Sequence, residues 1–592
     1  SAASDVYKRQ LYDYAIKHEL VLPPGFAYKT IKAYISLDKN GKFIGIVMGN
    51  DEPVLCPDIG SLANGKDKCN ILVEKKQIVM GNADNIKKQF FYQVLKEGST
   101  TIPEFGICED LNYQKSETKN IIEEMERYKI KDADRVSFMV GGRRIVELSE
   151  VKKWWEDYRV RFQKTEEKEK ARCLITGEKI VPMETVPPIT GLAVVGGHAR
   201  GDALICFDKP AYQSYGMKKS TNAPVAEEAI FAVKMALDRL LIDAPILANM
   251  KFVHWYEKPL EKDKDPFESD DFLGNDFLEE GTDTKFDDIF TNTKETEQNA
   301  KKQADDLVTS IVSGKKTVEL KNYYTILLLS GVNGRVMVRY YEQGSYELLQ
   351  KNIFLWEQQL ELLDITGNQN VKPYKLNARL LRLLSKQRSE KNIFERVKKE
   401  LSGVTQNIIT AIIHGTPLPD VIAVRSLAYI RSQMLEISGE NERQKIPDAI
   451  ACQWLKVWLL RKDKESKIMS YYNPKHKSVA YHCGAAMAMH ATIQNYAMAG
   501  VNANIVQRFY ASGSRTPALV LAKLNELSEY HFQKIKSEWL KNELKIQLNE
   551  IYVAIGDVIP VTLTLEGQAY FALGYRQMCA ELQHRRNERM KK

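Results

Sequence analysis

A chain of 592 residues exceeds what one hydrophobic core supports, so at least two domains, and by length three of ~150 residues each, are expected. Its 44% hydrophobic and 27% charged residues are the balance of a water-soluble globular protein, and no apolar run approaches the ~20 residues that a bilayer-crossing helix needs. The net charge of +8 conceals an asymmetry: Glu257 to Glu297 holds 15 acids against 5 lysines, a local −10, which leaves +18 on the part a polyanion would meet.

Residues 1–10, SAASDVYKRQ, have neither the basic start nor the apolar core of a signal peptide and are read as a scar ahead of the native chain. The eight cysteines Cys56, Cys69, Cys108, Cys173, Cys206, Cys452, Cys483 and Cys579 form no C-x-x-C pair. Buried, reduced, structural thiols in a cytoplasmic protein are expected for all of them.

From Leu11 a short helix precedes FAYKTIKAYISLD and FIGIVM, joined through Lys39, Asn40 and Gly41 as a β-hairpin. In the loop PDIGSLANGKDKCN, the residues Ser61, Asn64, Lys66 and Lys68 are groups that could enter a nucleic-acid groove, against the alternative of a solvated turn. RVSFMVGGRRIVELS predicts a second hairpin with Gly141 and Gly142 at its turn, and Arg143 and Arg144 at its tip are candidate backbone contacts. Trp154, Trp155, Tyr158, Arg159 and Arg161 then share a helix, where packing under a sheet competes with stacking on nucleic acid.

The stretch from Cys173 to Phe231 is the densest in special backbone positions. Gly191, Gly196, Gly197 and Gly201 permit positive φ or close approach, so the loop could lay N–H groups, with His198 and Arg200, against a phosphate or a base edge. An ordinary strand-loop-helix corner is the competing reading. Ala203 to Phe207 predicts a buried strand, AYQSYGMKKSTN a polar, basic and aromatic loop, and Asn222, Pro224 and Glu227 a helix start. In that loop Lys218 and Lys219 suit phosphates, Ser214 and Asn222 suit base edges, and Tyr215 suits a wedge at a duplex fork.

YYTILLLSGVNGRVMVRYYEQGS predicts a long hairpin turning at Gly331 to Gly334. Its Arg335 and Arg339, an even number apart, project from one strand face and suit a phosphate backbone or carboxylate partners. Beyond Lys372 the apolar period becomes ~3.6 and the rest is expected to be helical. From Met469 to Lys592 there are 15 basic residues against 9 acidic, a net +6. Arg508, Arg515, Lys523 and Arg576 in this tail are candidates for holding a single strand by its backbone.

The ordered residues Cys173, Thr176, Gly177, Glu178, Ile189, Gly191, Gly201, Leu204, Phe207, Ser214, Tyr215, Gly216, Asn222, Ala223, Pro224, Val225 and Glu227 resemble the large subunit of the type I-C CRISPR surveillance complex (Cascade), a Csd-type CRISPR-associated family. Tyr481, Gly484, Ile493, Gln494, Arg508, Tyr510, Pro517, His531, Gln568, Gly574 and Tyr575 continue the pattern. The resemblance runs from about Leu11 to Arg586. It implies a role in RNA-guided antiviral surveillance: recognition of the protospacer-adjacent motif in double-stranded DNA, initiation of the R-loop and support of the displaced strand. The implied partners are guide CRISPR RNA, target DNA, backbone and handle-binding sister subunits, a helicase-nuclease, and a small subunit translated from an internal start, for which Met469 is the candidate.

No phosphate-binding P-loop, H-E-x-x-H, G-x-S-x-G or histidine-aspartate cluster occurs, and His482 and His490 read as core edge rather than metal ligands. The expectation is a binding protein, not an enzyme, without metal or cofactor. A scaffold that reads no DNA and a metal-dependent nuclease are the alternatives. The expected class is α+β: 11–256 a mixed α/β domain, 257–305 an acidic insertion, 306–371 a hairpin continuation of that domain, 372–468 a helical connector and 469–592 a helical bundle.

Overall fold

The β-rich runs before residue 145 form a mixed sheet in the order β3-β2-β6-β5, with β7 paired to β6. Its strands are β2 (Ala33–Leu37), β3 (Phe43–Met48), β5 (Glu74–Lys75), β6 (Arg135–Val140) and β7 (Arg143–Arg144), while β1 (Phe26–Thr30) and β4 (Pro53–Pro57) pair separately. The computed structural model describes residues 2–162, 170–183, 185–207, 211, 219–267, 321–367, 370–371, 376–384, 393–435, 445–463, 467–498 and 504–591. They divide into a first unit, Ser1–Asp243 with Gly331–Met337, and a second, Ala244–Ser330 with Val338–Lys592.

In the first unit β2 is buried along its whole length, antiparallel to β3 and parallel to β6. The Asp38 carboxylate closes the β2–β3 turn by accepting from the N–H groups of Asn40 and Lys42 at 2.8 and 2.9 Å. Gly141 and Gly142 both take positive φ in the β6–β7 turn, the conformation of a two-residue hairpin. The helices are α1 (Ala2–Lys17), α2 (Lys76–Val79), α3 (Ile86–Gly98), α4 (Pro103–Asp110), α5 (Lys115–Arg127), α6 (Ser149–Tyr158) and α7 (Glu227–Ile242). Trp154 of α6 meets Phe105 edge-on at 5.0 Å, and Trp155 donates its indole N–H to Gly25 O at 2.6 Å. Both rings are core, and Arg159 and Arg161 pair with Glu227 and Glu97. The rings of this face pack against Phe105, Gly98 and Gly25 in the core and are not available for stacking.

Residues 2–10 belong to this fold. They open α1, which packs on α7, buries Tyr7 and Leu11, and donates a hydrogen bond from Arg9 to Ile175 O at 3.2 Å.

In the second unit β10 (Ile246–Leu247), β11 (Met250–Tyr256), β12 (Tyr323–Val332) and β13 (Arg335–Ser345) form an antiparallel run in that order. The β12–β13 turn is the dipeptide Asn333–Gly334, with φ of +50° and +77°, so the strands reach two residues further than the expected four-residue turn. The hairpin arms group with the helical unit, and only its tip counts with the first. The boundaries expected at 256 and 371 therefore give way to one at residue 243.

Beyond residue 372 the described residues contain helices and turns but no strand. After α8 (Tyr346–Leu360) and α9 (Leu376–Leu381) come α10 (Ile393–His414), α11 (Asp420–Leu435), α12 (Ala449–Lys462), α13 (Val479–Ala497), α14 (Ile505–Gly513), α15 (Pro517–Lys534), α16 (Glu538–Ile555) and α17 (Leu565–Lys591). Helix α13 is apolar on every side, as a helix surrounded by others must be. A Cβ on Gly484 would collide with Phe571 O of α17, and one on Gly574 with Tyr481 O of α13, so reciprocal glycines set this crossing.

One apolar core runs through Trp454 and Trp458 of α12, Met487 of α13 and Phe571 of α17. It continues across Met469, so residues 469–592 are part of the larger core rather than a separate bundle. Tyr575 and Arg576 donate to Lys445 O and Pro447 O, and Gln577 donates to Met469 O at 2.8 Å. No described helix is long and apolar enough to cross a membrane.

Candidate nucleic-acid interface

The two densest sequence motifs are neighbours in space. The Cys173 thiol accepts from the N–H groups of Ile175, Thr176 and Ala226, and Leu174 N–H donates to Pro224 O at 2.9 Å. The C-x-x-T-G turn, between β8 (Ala171–Arg172) and β9 (Lys179–Ile180), is thus fastened to the start of α7. Burial opposes ionisation of this thiol, but the bonds from Thr176, Ala226 and Ile175 outweigh it and hold its pKa below the ordinary value. The helix begins at Glu227 with Ala226 as its cap, whereas Asn222 ends a separate short turn from Lys219.

The glycine-rich loop is organised by a residue the sequence reading did not single out. Asp202 is fully buried, and its carboxylate accepts from His198 N–H at 3.1 and 3.2 Å. Gly201 N–H donates to His198 O at 2.9 Å, which leaves His198, Ala199 and Arg200 exposed around a tight turn. Gly196 and Gly201 take φ of +89° and +101°. A Cβ on Gly197 would collide with the Asp202 carboxylate. The hairpin tip backs the loop: Ala203 N–H donates to Gly334 O at 2.8 Å, and Val336 N–H donates to Ala203 O at 3.0 Å. Gly196 and Gly197 are therefore committed to this backbone packing, and the loop presents outward the side chains of His198 and Arg200.

The strand expected over Ala203 to Phe207 reduces to single bridges, Asp202 with Ile189 and Ala203 with Arg335. Past Ala203 the described backbone finds no further strand partner. Ser214, Tyr215 and Lys218 lie outside the described residues, as do the side chains of Lys219, Ser61 and Asn64. Lys66 is exposed, and Lys68 pairs with Asp67 at 2.9 Å.

The paired arginines have local partners. Arg143 bonds Glu104, and Arg144 bonds Glu147 at 3.1 Å while lying 4.8 Å over the Tyr34 ring. Arg339 donates to Ser330 Oγ at 2.9 Å, and Arg335 is half-buried with an interaction of its own. In the helical unit Arg508 and Arg515 are exposed and Lys523 pairs with Glu526 at 2.7 Å.

Arg576, expected to hold a single strand by its backbone, is instead buried. It is 4% exposed and donates to Pro447 O at 2.6 Å, so its guanidinium ties α17 to the segment before α12 and meets no solvent-borne strand.

His482 and His490 are deeper than core edge. Each is buried in its own network: His482 with Tyr472 and His476 O, His490 with Ser528 and Tyr552. Among the described residues no group of three or more His, Cys, Asp or Glu could hold a metal ion. Seven of the cysteines are buried, but Cys206 is only partly so.

These features define a two-unit α+β protein, in which a mixed-sheet unit carries a braced basic loop and a helical unit carries exposed guanidinium groups. The chain belongs to the family described as CRISPR-associated protein (Cas_Csd1), whose model matches residues 5–582. The match includes residues 5–10, within the stretch expected to be a scar. None of the curated proteins compared with the chain matches it.

Proposed function

We propose that this CRISPR-associated protein is the large subunit of a type I-C, RNA-guided surveillance complex. It binds rather than catalyses. It reads a short motif flanking the target in double-stranded DNA, helps start the R-loop, holds the displaced strand and supports recruitment of the helicase-nuclease. Its partners are guide CRISPR RNA, target DNA, sister subunits and a small subunit from an internal start at Met469, in the cytoplasm.

The observation that carries this reading is the loop at His198–Arg200. A buried carboxylate and a hairpin tip fix its backbone, yet its two polar side chains stay exposed. A rigid backbone with exposed donors is what reading a groove requires, because little backbone order is lost on binding. Arg143, Arg144 and Lys68, each engaged with a carboxylate, supply less.

The test is duplex binding by the complex reconstituted with guide RNA, as a function of salt. With about six phosphate contacts the slope of log affinity against log salt is about −5. A flat slope contradicts the reading and favours a scaffold that touches only sister proteins. Cleavage of DNA by the purified chain with Mg²⁺ or Mn²⁺ contradicts the non-catalytic part.

A further inference from the structure

Most buried or half-buried guanidinium groups of the helical unit meet a carboxylate or a carbonyl. Arg382 pairs with Asp448, Arg425 with Glu400, and Arg461 donates to Ala411 O and Thr416 O. Arg431 on α11 is half-buried and bonds two neutral groups, Ser514 Oγ at 3.4 Å and the Gln568 amide oxygen, but it has a second arginine beside its partner. Next to Ser514 in the chain stands Arg515, exposed, whose positive charge acts on Arg431.

Among the described residues neither arginine has an acidic partner. Desolvation first, and then the Arg515 charge, pull the Arg431 pKa below its ordinary value, while only the buried Tyr510 acts the other way. Arg431 bonds the residue that precedes Arg515, and two cations placed so, with no acidic partner among the described residues, are unfavourable unless an anion joins them.

The backbone beneath them is fixed. Arg515 N–H donates to Ser512 O at 2.9 Å, its own carbonyl accepts from Leu563 N–H at 2.8 Å, and Ala518 N–H donates to Pro560 O at 3.3 Å. Arg508, Ser512 and Arg515 are spaced i, i+4 and i+7, and all three are exposed, so the α14 face leading to the pair carries one more cation.

We infer that Arg431 and Arg515, held where α11, the α14–α15 turn and the start of α17 meet, form a phosphate clamp that grips a nucleic-acid backbone, with Arg508 extending the track. This deepens the displaced-strand part of the proposed function and rests on it. It adds Arg431, the residue that gives the clamp a side braced by two hydrogen bonds. The ligand chemistry is a phosphate oxyanion, and a phosphodiester of single-stranded DNA is the source proposed. Bidentate contact suits guanidinium rather than ammonium groups.

The experiment uses the full chain and a fluorescein-labelled oligothymidine, with anisotropy followed against salt, for the wild type and for Arg515→Gln, Arg431→Gln and Arg431→Lys. Loss of either guanidinium is expected to weaken binding about three- to tenfold and to make the salt slope shallower by about 0.7, the value for one single-strand phosphate. Arg515→Gln, which breaks no side-chain contact among the described residues, should leave the melting temperature unchanged. Arg431→Lys should restore the slope but not the full affinity.

A second arm follows melting in inorganic phosphate against chloride at matched ionic strength. If the wild type binds the oligonucleotide and neither Gln variant changes the slope, the clamp is wrong while the wider function stands. If the wild type fails to bind it, the displaced-strand role fails with it. Phosphate protection that Arg515→Gln abolishes, without a change in oligonucleotide binding, would mark a free-anion site and overturn the strand assignment. Melting loss in Arg431→Gln with an unchanged slope would make Arg431 a structural tie only, and would equally overturn it.

Discussion

Gly331 and Gly197 face one another backbone to backbone, so closely that a side-chain carbon on Gly331 would collide with the Gly197 Cα and N. The seat of the basic loop therefore depends on two residues having no side chain. Gly331→Ala forces the loop and the hairpin tip apart, at a cost of about 1–3 kcal/mol typical of overpacking. The expected outcome is a lower melting temperature together with weaker duplex binding. Gly403 in α10 is the control: a Cβ there meets nothing within 4 Å, so Gly403→Ala should stabilise by about 0.5–1 kcal/mol and leave binding alone.

His490 makes the helical unit sensitive to acid. Burial first, and then the neighbouring His531 charge, depress its pKa to about 3, against about 6.5 in the unfolded chain. Between these values the unfolded state binds more protons, so stability is full above pH ~6.5 and is lost as pH falls toward 3. At pH 5 the deficit from this group is on the order of 2 kcal/mol. Denaturant titrations at pH 7.5 and 5 should show it, and His490→Asn should remove that share of the difference. An equal acid loss in the variant would assign the effect elsewhere.

The segment 268–320 leaves from a closed neck. Asp265 accepts from Tyr256 OH and from Phe267 N–H, at 2.7 and 2.9 Å, and bonds His254 at 2.7 Å. Asn322, 2% exposed, exchanges bonds with Lys258 N–H and O at 2.9 Å each. Asn322→Ala, which removes the side chain that ties Lys258 to Tyr323, should cost about 1–3 kcal/mol.

Because the core runs across Met469, a fragment of residues 469–592 made alone exposes the faces of α14 and α17 that α11 and α12 cover. It should be helical by circular dichroism yet bind a hydrophobic dye and self-associate. Extension back to Asp420 should suppress both.

Much of the fold was legible because local chemistry and tertiary role agree. Gly141–Gly142 marks a turn by its own backbone, and α13 reads as central because its sequence is apolar on every side. The site was less so. Arg576 looked like a strand contact, although Ala572 and Cys579, four residues before and three after, already place it on the apolar stripe of α17. Arg431 carried no signal, since Ser514 and Gln568 lie 83 and 137 residues away. Asp202 was hidden because one buried carboxylate before an apolar run looks like any turn residue. The glycines of the basic loop were identified as special, but their close approach is to a hairpin more than a hundred residues later, not to a ligand.

The central claim is that the loop at His198–Arg200 reads the flanking motif. Its most direct test is target selection by the reconstituted complex from duplexes with a randomised flanking trinucleotide, comparing the wild type with Arg200→Glu and with Lys218→Glu/Lys219→Glu. The account predicts enrichment of a few flanks by the wild type and its loss in Arg200→Glu. Enrichment that survives Arg200→Glu, or no enrichment by the wild type, would contradict it.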